Sequence, residues 1–319
     1  MALIDDEGLP FKIRGCVLLS QILRPIRETN SDILKRTNLS SVFEDAVRPC
    51  LLSLPTITPE HDSIRLLGIA YPTLVSLYQT TYQIPSSSAS PQHAPQTQAR
   101  KASQKELYIT SLTALLRNNL ISSFHHISTT NPSTVSTFAS FPHPRLSSLL
   151  ISQITTLVAE LGVHITKYLQ DLVPLIYSTL SNPFGTAHPA LLIEAVKLAR
   201  GVILNAHPRI WRWRVEVLGG VCRCWVSVFE EESEGRRRGL TTSGDGEVLR
   251  RLKKEMKGVV YLLKAAIEEP AWGIDEPGVT EAKHCFEDEL RALADADEQL
   301  GELLLGEIDV DDGEYFGIY

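Results

Sequence analysis

The residues with chemical reach in this chain are few, and their spacing suits no familiar catalytic or metal site. Cys222 and Cys224 stand two apart in VCRCW. On a helix that spacing turns the two thiols about 200° from each other. They are poor joint ligands, and no second Cys or His pair stands at zinc-site spacing. His125 and His126 are adjacent, which puts them on different parts of a helix surface, and the nine histidines follow no motif. Asp309, Asp311, Asp312, Gly313 and Glu314 open like a calcium loop, without the bidentate Glu that such a loop needs; a solvated acidic tail is expected there. There is no glycine-rich phosphate loop ending in Lys and Ser or Thr, no nucleophile elbow and no dinucleotide fingerprint. No catalytic residue, metal ligand or cofactor is expected.

The other concentration of unusual residues is His207 to Phe229, HPRIWRWRVEVLGGVCRCWVSVF, with three of the four tryptophans. Written as one helix from Arg209, it puts Ile210, Trp213, Val217, Val221, Cys224 and Val228 on one stripe, with Trp211, Val215, Leu218, Cys222 and Trp225 beside it. So wide an apolar face must be covered by neighbours on at least two sides. Arg209, Arg212, Glu216, Arg223, Ser227 and Glu230 form the polar stripe. Arginines beside tryptophans can bind single-stranded nucleic acid by stacking, yet this spacing sends Trp213 and Trp225 to the apolar side, where core packing is expected. Arg209, Arg212 and Arg223 are left as candidate contacts to an acidic protein surface or to the chain's own tail.

Charge supports a protein partner. Residues 1–267 carry 29 Lys and Arg against 21 Asp and Glu, a body of +8, while residues 268–319 carry 2 against 17, a tail of −15. Such a tail argues against phosphate binding by the whole chain, because that rests on cations. Five cysteines without framework spacing read as reduced thiols. Residues 1–15 lack the pattern of a secretory signal. The longest apolar run, Leu146 to Val163, is interrupted by Ser147, Ser148, Ser152, Gln153 and Glu160, so no membrane span is expected. An intracellular, soluble protein is the expectation.

The elements that must position these residues are helices throughout. Apolar spacing predicts a helix from Phe11 to Ile26, ended or bent by Pro25. Ser41 and Glu44 form a capping-box pattern ahead of the next, and Thr58, Pro59 and Glu60 start another that Pro72 should kink or split. Gln83 to Gln104 is rich in Ser, Pro and Gln and reads as a disordered insertion. Ser103 and Glu106 form a second capping-box pattern, opening a helix through Ile121, and a polar loop covers Ser128 to Ser140. Helices follow over Leu146 to Leu161, closed by Gly162, His164 to Leu180, and Pro189 to Leu204, broken at His207 and Pro208. The tryptophan helix then runs to about Glu231. A charged loop spans Glu230 to Glu247, a basic helix Val248 to Ile267, and one acidic amphipathic helix Val279 to Leu304.

Helix, short turn, helix, repeated, is the grammar of stacked hairpins. Ser41 to Tyr82 and Pro144 to Gly185 each span 42 residues and Thr186 to Glu231 spans 46, lengths that suit two-helix HEAT-type repeats. Proline leading an apolar run recurs at Pro49, Pro72 and Pro174. An all-α, HEAT-like α-solenoid is expected, with an irregular helical bundle as the alternative. The expected segments are N-terminal repeats over 1–82, the insertion over 83–104, a body over 105–269 and an acidic helix and tail over 270–319.

Three blocks carry a family likeness: LKRTNLSSVFEDAVRPCLLSLPTITPEHDSIRLLGIAYPTLVSLY (Leu34 to Tyr78), LVPLIYSTLSNPF (Leu172 to Phe184) and HPRIWRWRVEVLGGVCRCW (His207 to Trp225). They resemble the Tel-two-interacting protein two family, whose members are subunits of the Triple T complex. The resemblance implies a HEAT-like protein without catalytic activity, bound to Tel-two-interacting protein one and through it to Tel-two. It also implies work with the heat-shock protein ninety machinery on phosphatidylinositol-3-kinase-related kinases, and so on DNA-damage signalling and telomere maintenance. Matched positions are Phe43, Pro49, Pro55, Pro59 and Pro72 as structural marks, and Pro208, Arg209, Trp213, Arg214 and Trp225 as the signature of the tryptophan stretch. Members of that family usually have more chain ahead of the part matching Phe11 onward. A HEAT-type transport or cargo adaptor is the alternative function.

Overall fold

A computed structural model describes residues 3, 4, 6, 8–84, 95–128, 141–238, 245–268 and 277–306, and every regular element among them is a helix. The all-α expectation therefore holds. The chain divides into two compact units, one of residues up to 134 with 141–157 and one from Val158 onward. That boundary falls inside the body expected over 105–269.

The first unit is built around α4 (Glu60–Thr81). It packs against α1 (Leu9–Glu28) and also against α2 (Ile33–Arg36), α3 (Leu39–Val47) and the 3-10 turn Arg48–Leu52. Its buried residues include Leu66, Leu67, Ala70, Tyr71, Leu74, Leu77 and Tyr78, which spread around much of the helix. Contact on two sides requires that spread. Gly15 of α1 admits the chain's start: a Cβ there would stand 2.5 Å from Ile4 Cγ1.

Of the outcomes expected at Pro25 and Pro72, an end or a bend of the first helix and a kink or a split of the second, neither the end nor the split occurs. Pro25 and Pro72 lie inside α1 and α4. Pro174 lies likewise inside α8 (Leu169–Leu180). All three are exposed. Proline removes one donor and crowds the carbonyl four residues back, but on the solvent side water can take that carbonyl and the helix can curve there.

Neither capping box forms. Ser41 lies inside α3, where its hydroxyl donates to Asn38 O, and the helix begins from Asn38 in the left-handed region at φ 55. Glu44 instead accepts from Tyr78 and Arg48. Helix α4 takes Pro59 as its cap residue, with no side-chain cap from Thr58. Helix α5 (Pro95–Leu115) starts well before Ser103 and continues through a π turn, Leu116–Ile121, into α6 (Ser122–Ser128). Residues 95–104, expected as part of the insertion, are thus helical; 85–94 and most of the second polar loop lie outside the described residues.

Helix α7 (Pro144–Leu161) is closed by Gly162 at φ 55, the left-handed end expected of a C-cap glycine. The stretch Pro144–Leu180 has the length and apolarity of a membrane span. Here it is interrupted by Gly162 and a 3-10 segment, Gly162–Tyr168, and buries Leu146, Leu150, Ile151, Ile154, Leu157 and Leu161 in the interior.

The second unit is a two-layer stack. Helix α8 packs on α10 (Arg214–Arg238), α9 (Pro189–Ile210) on α11 (Asp245–Glu268), and sequence neighbours α8 with α9 and α10 with α11 join the layers. Contact between alternate helices is what stacked hairpins require. Gly219 and Gly220 of α10 lie against Tyr177 of α8, where a Cβ on Gly220 would stand in contact with Tyr177 Cα at 3.4 Å. Two expected breaks are absent: α9 runs through His207 and Pro208, and α10 runs past Glu231 into the charged stretch. One unexpected break divides the acidic helix into α12 (Pro277–Ala296) and α13 (Glu298–Leu304), where the Asp297 carboxylate caps Gln299 N at 3.0 Å.

The described residues of the acidic segment fold onto α10 and α11 of the basic body. Phe286, Leu290, Leu300, Leu303 and Leu304 are buried. Lys257 meets Glu302 at 2.9 Å and Lys264 meets Glu287 at 3.8 Å. The hydrogen bond from Lys257 holds the Glu302 carboxyl below its ordinary value.

Candidate partner-binding surface

The tryptophan stretch is a corner, not one helix. Helix α9 ends at Ile210, Trp211–Trp213 form a 3-10 turn, and α10 starts at Arg214. The turn shifts the helical phase, so the stripes expected from Arg209 onward hold only in part. Ile210, Val217, Leu218, Val221, Cys224, Trp225 and Val228 are buried. Trp211 and Trp213 are only half-buried, and Val215 is 64 % exposed.

Trp225 is the packing centre. It is 0 % exposed, its indole N–H donates to Gln299 O at 2.8 Å, and the ammonium groups of Lys253 and Lys257 lie 5.2 and 5.8 Å from its ring. Arg214 is also structural. Its guanidinium grips Glu289 of α12 through Nε at 3.1 Å and Nη2 at 2.8 Å, while Nη1 donates to Trp211 O at 3.2 Å. A bidentate Arg–carboxylate pair fixes orientation as well as distance. It locks the corner to the acidic segment.

Arg209, Arg212 and Arg223 are all exposed. Arg212 lies over the Trp211 ring at 5.3 Å and Arg223 over the Tyr177 ring of α8 at the same distance. The three are not brought together. Arg209 and Arg212 share the corner, whereas Arg223 lies nine residues into α10, about 13 Å along its axis. Exposure also picks out Val215, which stripe counting had sent inward; the 3-10 turn that moves it out has no marker in the residue types.

Of the structural marks, Phe43 and Pro55 are half-buried, Pro49 is exposed in the 3-10 turn, and Pro59 and Pro72 are exposed at the start and inside α4. Pro208 lies in the last turn of α9. His125 and His126 are exposed on α6. Cys222 and Cys224 do not face one another as ligands. Burial pushes the Cys224 thiol up to about 12, and burial with the Asp297 charge pushes Cys222 up to about 11. Both are protonated at neutral pH, so neither is a ready nucleophile. Cys16 and Cys50 are buried in the first unit, where a thiol hydrogen bond and burial raise the Cys16 value strongly. Among the described residues no group of three His, Cys, Asp or Glu could hold a metal ion. The Asp309–Glu314 stretch lies outside them.

Stacked helical hairpins define an all-α helical-repeat protein, here with exposed arginines and half-buried tryptophans at the corner between α9 and α10. The chain belongs to the Tti2 family, which it matches over residues 1–187. This match includes the Leu34–Tyr78 and Leu172–Phe184 blocks and stops short of the corner. Membership supports, in general terms, a subunit role in the Triple T cochaperone complex. No curated protein and no solved structure matches the chain.

Proposed function

We propose that this chain is a non-catalytic scaffold subunit of the Triple T complex, supporting the maturation and stability of phosphatidylinositol-3-kinase-related kinases with the heat-shock protein ninety machinery. In this reading it works in cytoplasm and nucleus and binds Tel-two-interacting protein one and, through it, Tel-two. The observation that carries it is the family match over residues 1–187.

The corner is the surface we assign to the larger partner. Trp and Arg are the residue types that most often dominate binding energy. Arg212 stacked on Trp211 is held in place, so less side-chain freedom is lost on binding. With Arg209 beside it and Val215 exposed, the corner offers two cations around an apolar patch, which fits an acidic, partly apolar helical surface. Arg223, held over Tyr177, extends the cationic side along α10.

Affinity capture of the tagged full chain under gentle lysis should recover both larger helical-repeat proteins. Arg209→Glu with Arg212→Glu should cut that recovery by about tenfold, the equivalent of ~1.4 kcal/mol, with an unchanged circular-dichroism spectrum. Recovery of the folded chain alone would overturn the subunit assignment. Undiminished recovery by the double reversal would overturn the corner.

A further inference from the structure

The link between α8 and α9 begins with a turn, Asn182-Pro183-Phe184-Gly185, that the scaffold reading leaves unused. Its residue types are those a type I turn prefers, with Asn first, Pro second and Gly fourth. Gly185 N donates to Asn182 O at 3.0 Å, and Phe184 N donates to Asn182 Oδ1 at 2.9 Å. Phe184 stands at φ −102 and ψ 12, close to the third position of such a turn. The residues that follow hold it from the other side, since Ala187 N donates to Phe184 O at 3.3 Å and His188 N to Gly185 O at 2.8 Å. Gly185 is buried against α9, where a Cβ would stand 3.0 Å from Leu192 Cδ2. The backbone of the turn is fixed on both sides.

With its N–H and C=O both bonded, Phe184 offers solvent its ring, 45 % exposed next to the exposed Pro183. Among the described residues the exposed phenylalanines are Phe11, Phe184 and Phe229. Phe11 and Phe229 project from α1 and α10, whereas Phe184 is carried on the tip of a connection. A single exposed apolar side chain needs no partner. A ring and a proline held side by side on a fixed turn differ, because docking them orders little further chain and aromatic rings are enriched at interface centres. No Lys, Arg, Asp or Glu stands between Asp171 and Glu194. The turn itself is therefore read by shape and apolar burial, unlike the corner with its arginines.

We propose that Asn182–Phe184 is a recognition tip for a second protein partner, separate from the one at the corner. That partner is a small domain whose apolar pocket takes the Phe184 ring, with Pro183 against the rim and Asn182 holding the turn in the shape that fits. The chain then offers two unlike contacts, one cationic and aromatic, the other uncharged and preformed.

The test uses the purified full chain and, as probe, an EH domain, a module whose apolar pocket accepts Asn-Pro-Phe turns. Fluorescence anisotropy of the labelled domain should rise as the chain is added. The chain should bind about tenfold more tightly than the linear peptide LSNPFGT, because its turn is already formed. Phe184→Ala should weaken binding about tenfold or more, with circular dichroism unchanged. Asn182→Ala keeps the ring but loses the bond that sets the turn, and should bring the chain down to the affinity of the peptide. Recovery of the larger helical-repeat proteins should be the same with Phe184→Ala as with the parent. No binding by the chain, binding no tighter than that of the peptide, equal binding by Phe184→Ala, or loss of the larger proteins in that variant would each overturn the proposal. So would a concentration-dependent dimer abolished by Phe184→Ala, which would give the tip to a second copy of this chain.

Discussion

Trp225→Ala should do more than leave a hole. The ring is fully buried, and truncating a buried Trp costs ~3–5 kcal/mol through lost transfer energy and the residual cavity. Its indole also donates to Gln299 O at 2.8 Å and lies beneath Lys253 and Lys257. A hydrogen bond is worth about 1 kcal/mol net, and each cation over a ring about 0.5–1 kcal/mol at exposed sites. These overlap with the truncation cost, so ~3–5 kcal/mol stands as the whole effect. In a unit of this size that lowers the melting midpoint on the order of 6–20 °C. Trp225→Phe keeps most of the volume and loses the donor, for about 1–2 kcal/mol. Urea and thermal unfolding followed by circular dichroism measure both. Hydrogen exchange supplies the local readout: amides of 299–304 should lose protection in Trp225→Ala before those of α8, because the indole is a direct tie from α10 to α13. A loss under about 1 kcal/mol, or unchanged protection at 299–304, would refute the idea that this ring holds the acidic segment to the stack.

The Arg214–Glu289 pair should show a coupling of about 1 kcal/mol in a double-mutant cycle with alanine, because Glu289 is 37 % exposed and solvent screens the charge. The coupling should shrink with salt, and a zero value at low salt would make the pair incidental. The Cys224 and Cys222 thiols, pushed up to about 12 and about 11 from the usual 9.0, stay protonated in the fold at pH values where the unfolded chain ionises. Stability should be insensitive to these thiols below about pH 9 and should fall as pH rises from there toward 12. The urea midpoint of Cys224→Ala should fall less than that of the parent between pH 8.5 and 10.5, taken as about the lower part of that window, and parallel slopes would remove Cys224 from the account.

Much of the fold was legible because helices and their stacking are written in periodic burial. The apolar spacing of Leu146 to Leu161 and the glycine after it specify a helix and its left-handed end, since only local geometry is involved. Trp225 could likewise be assigned to the interior from its stripe. Local rules failed where tertiary contact outweighed them. Pro25 and Pro72 were expected to end or split their helices, or else to bend them; neither ends nor splits one, because burial on the other faces of α1 and α4 holds each helix through an exposed proline. Ser41 and Glu44 matched a capping box, yet Glu44 is taken by Tyr78, 34 residues away, and by Arg48.

The candidate surface divides the same way. The amino-acid sequence alone determined an all-helical chain, a basic body with an acidic end, and a Trp–Arg cluster that some neighbour must cover in part. Which part is covered was decided only in three dimensions. A 3-10 turn at Trp211–Trp213 shifts the phase by a fraction of a helical turn, enough to expose Val215 and leave Trp213 half-buried. Arg214 turns inward to Glu289, 75 residues on, while Arg209, Arg212 and Arg223 remain outside. Periodicity counts residues along one element, but pairing between distant charges and packing between helices select which of those residues face solvent.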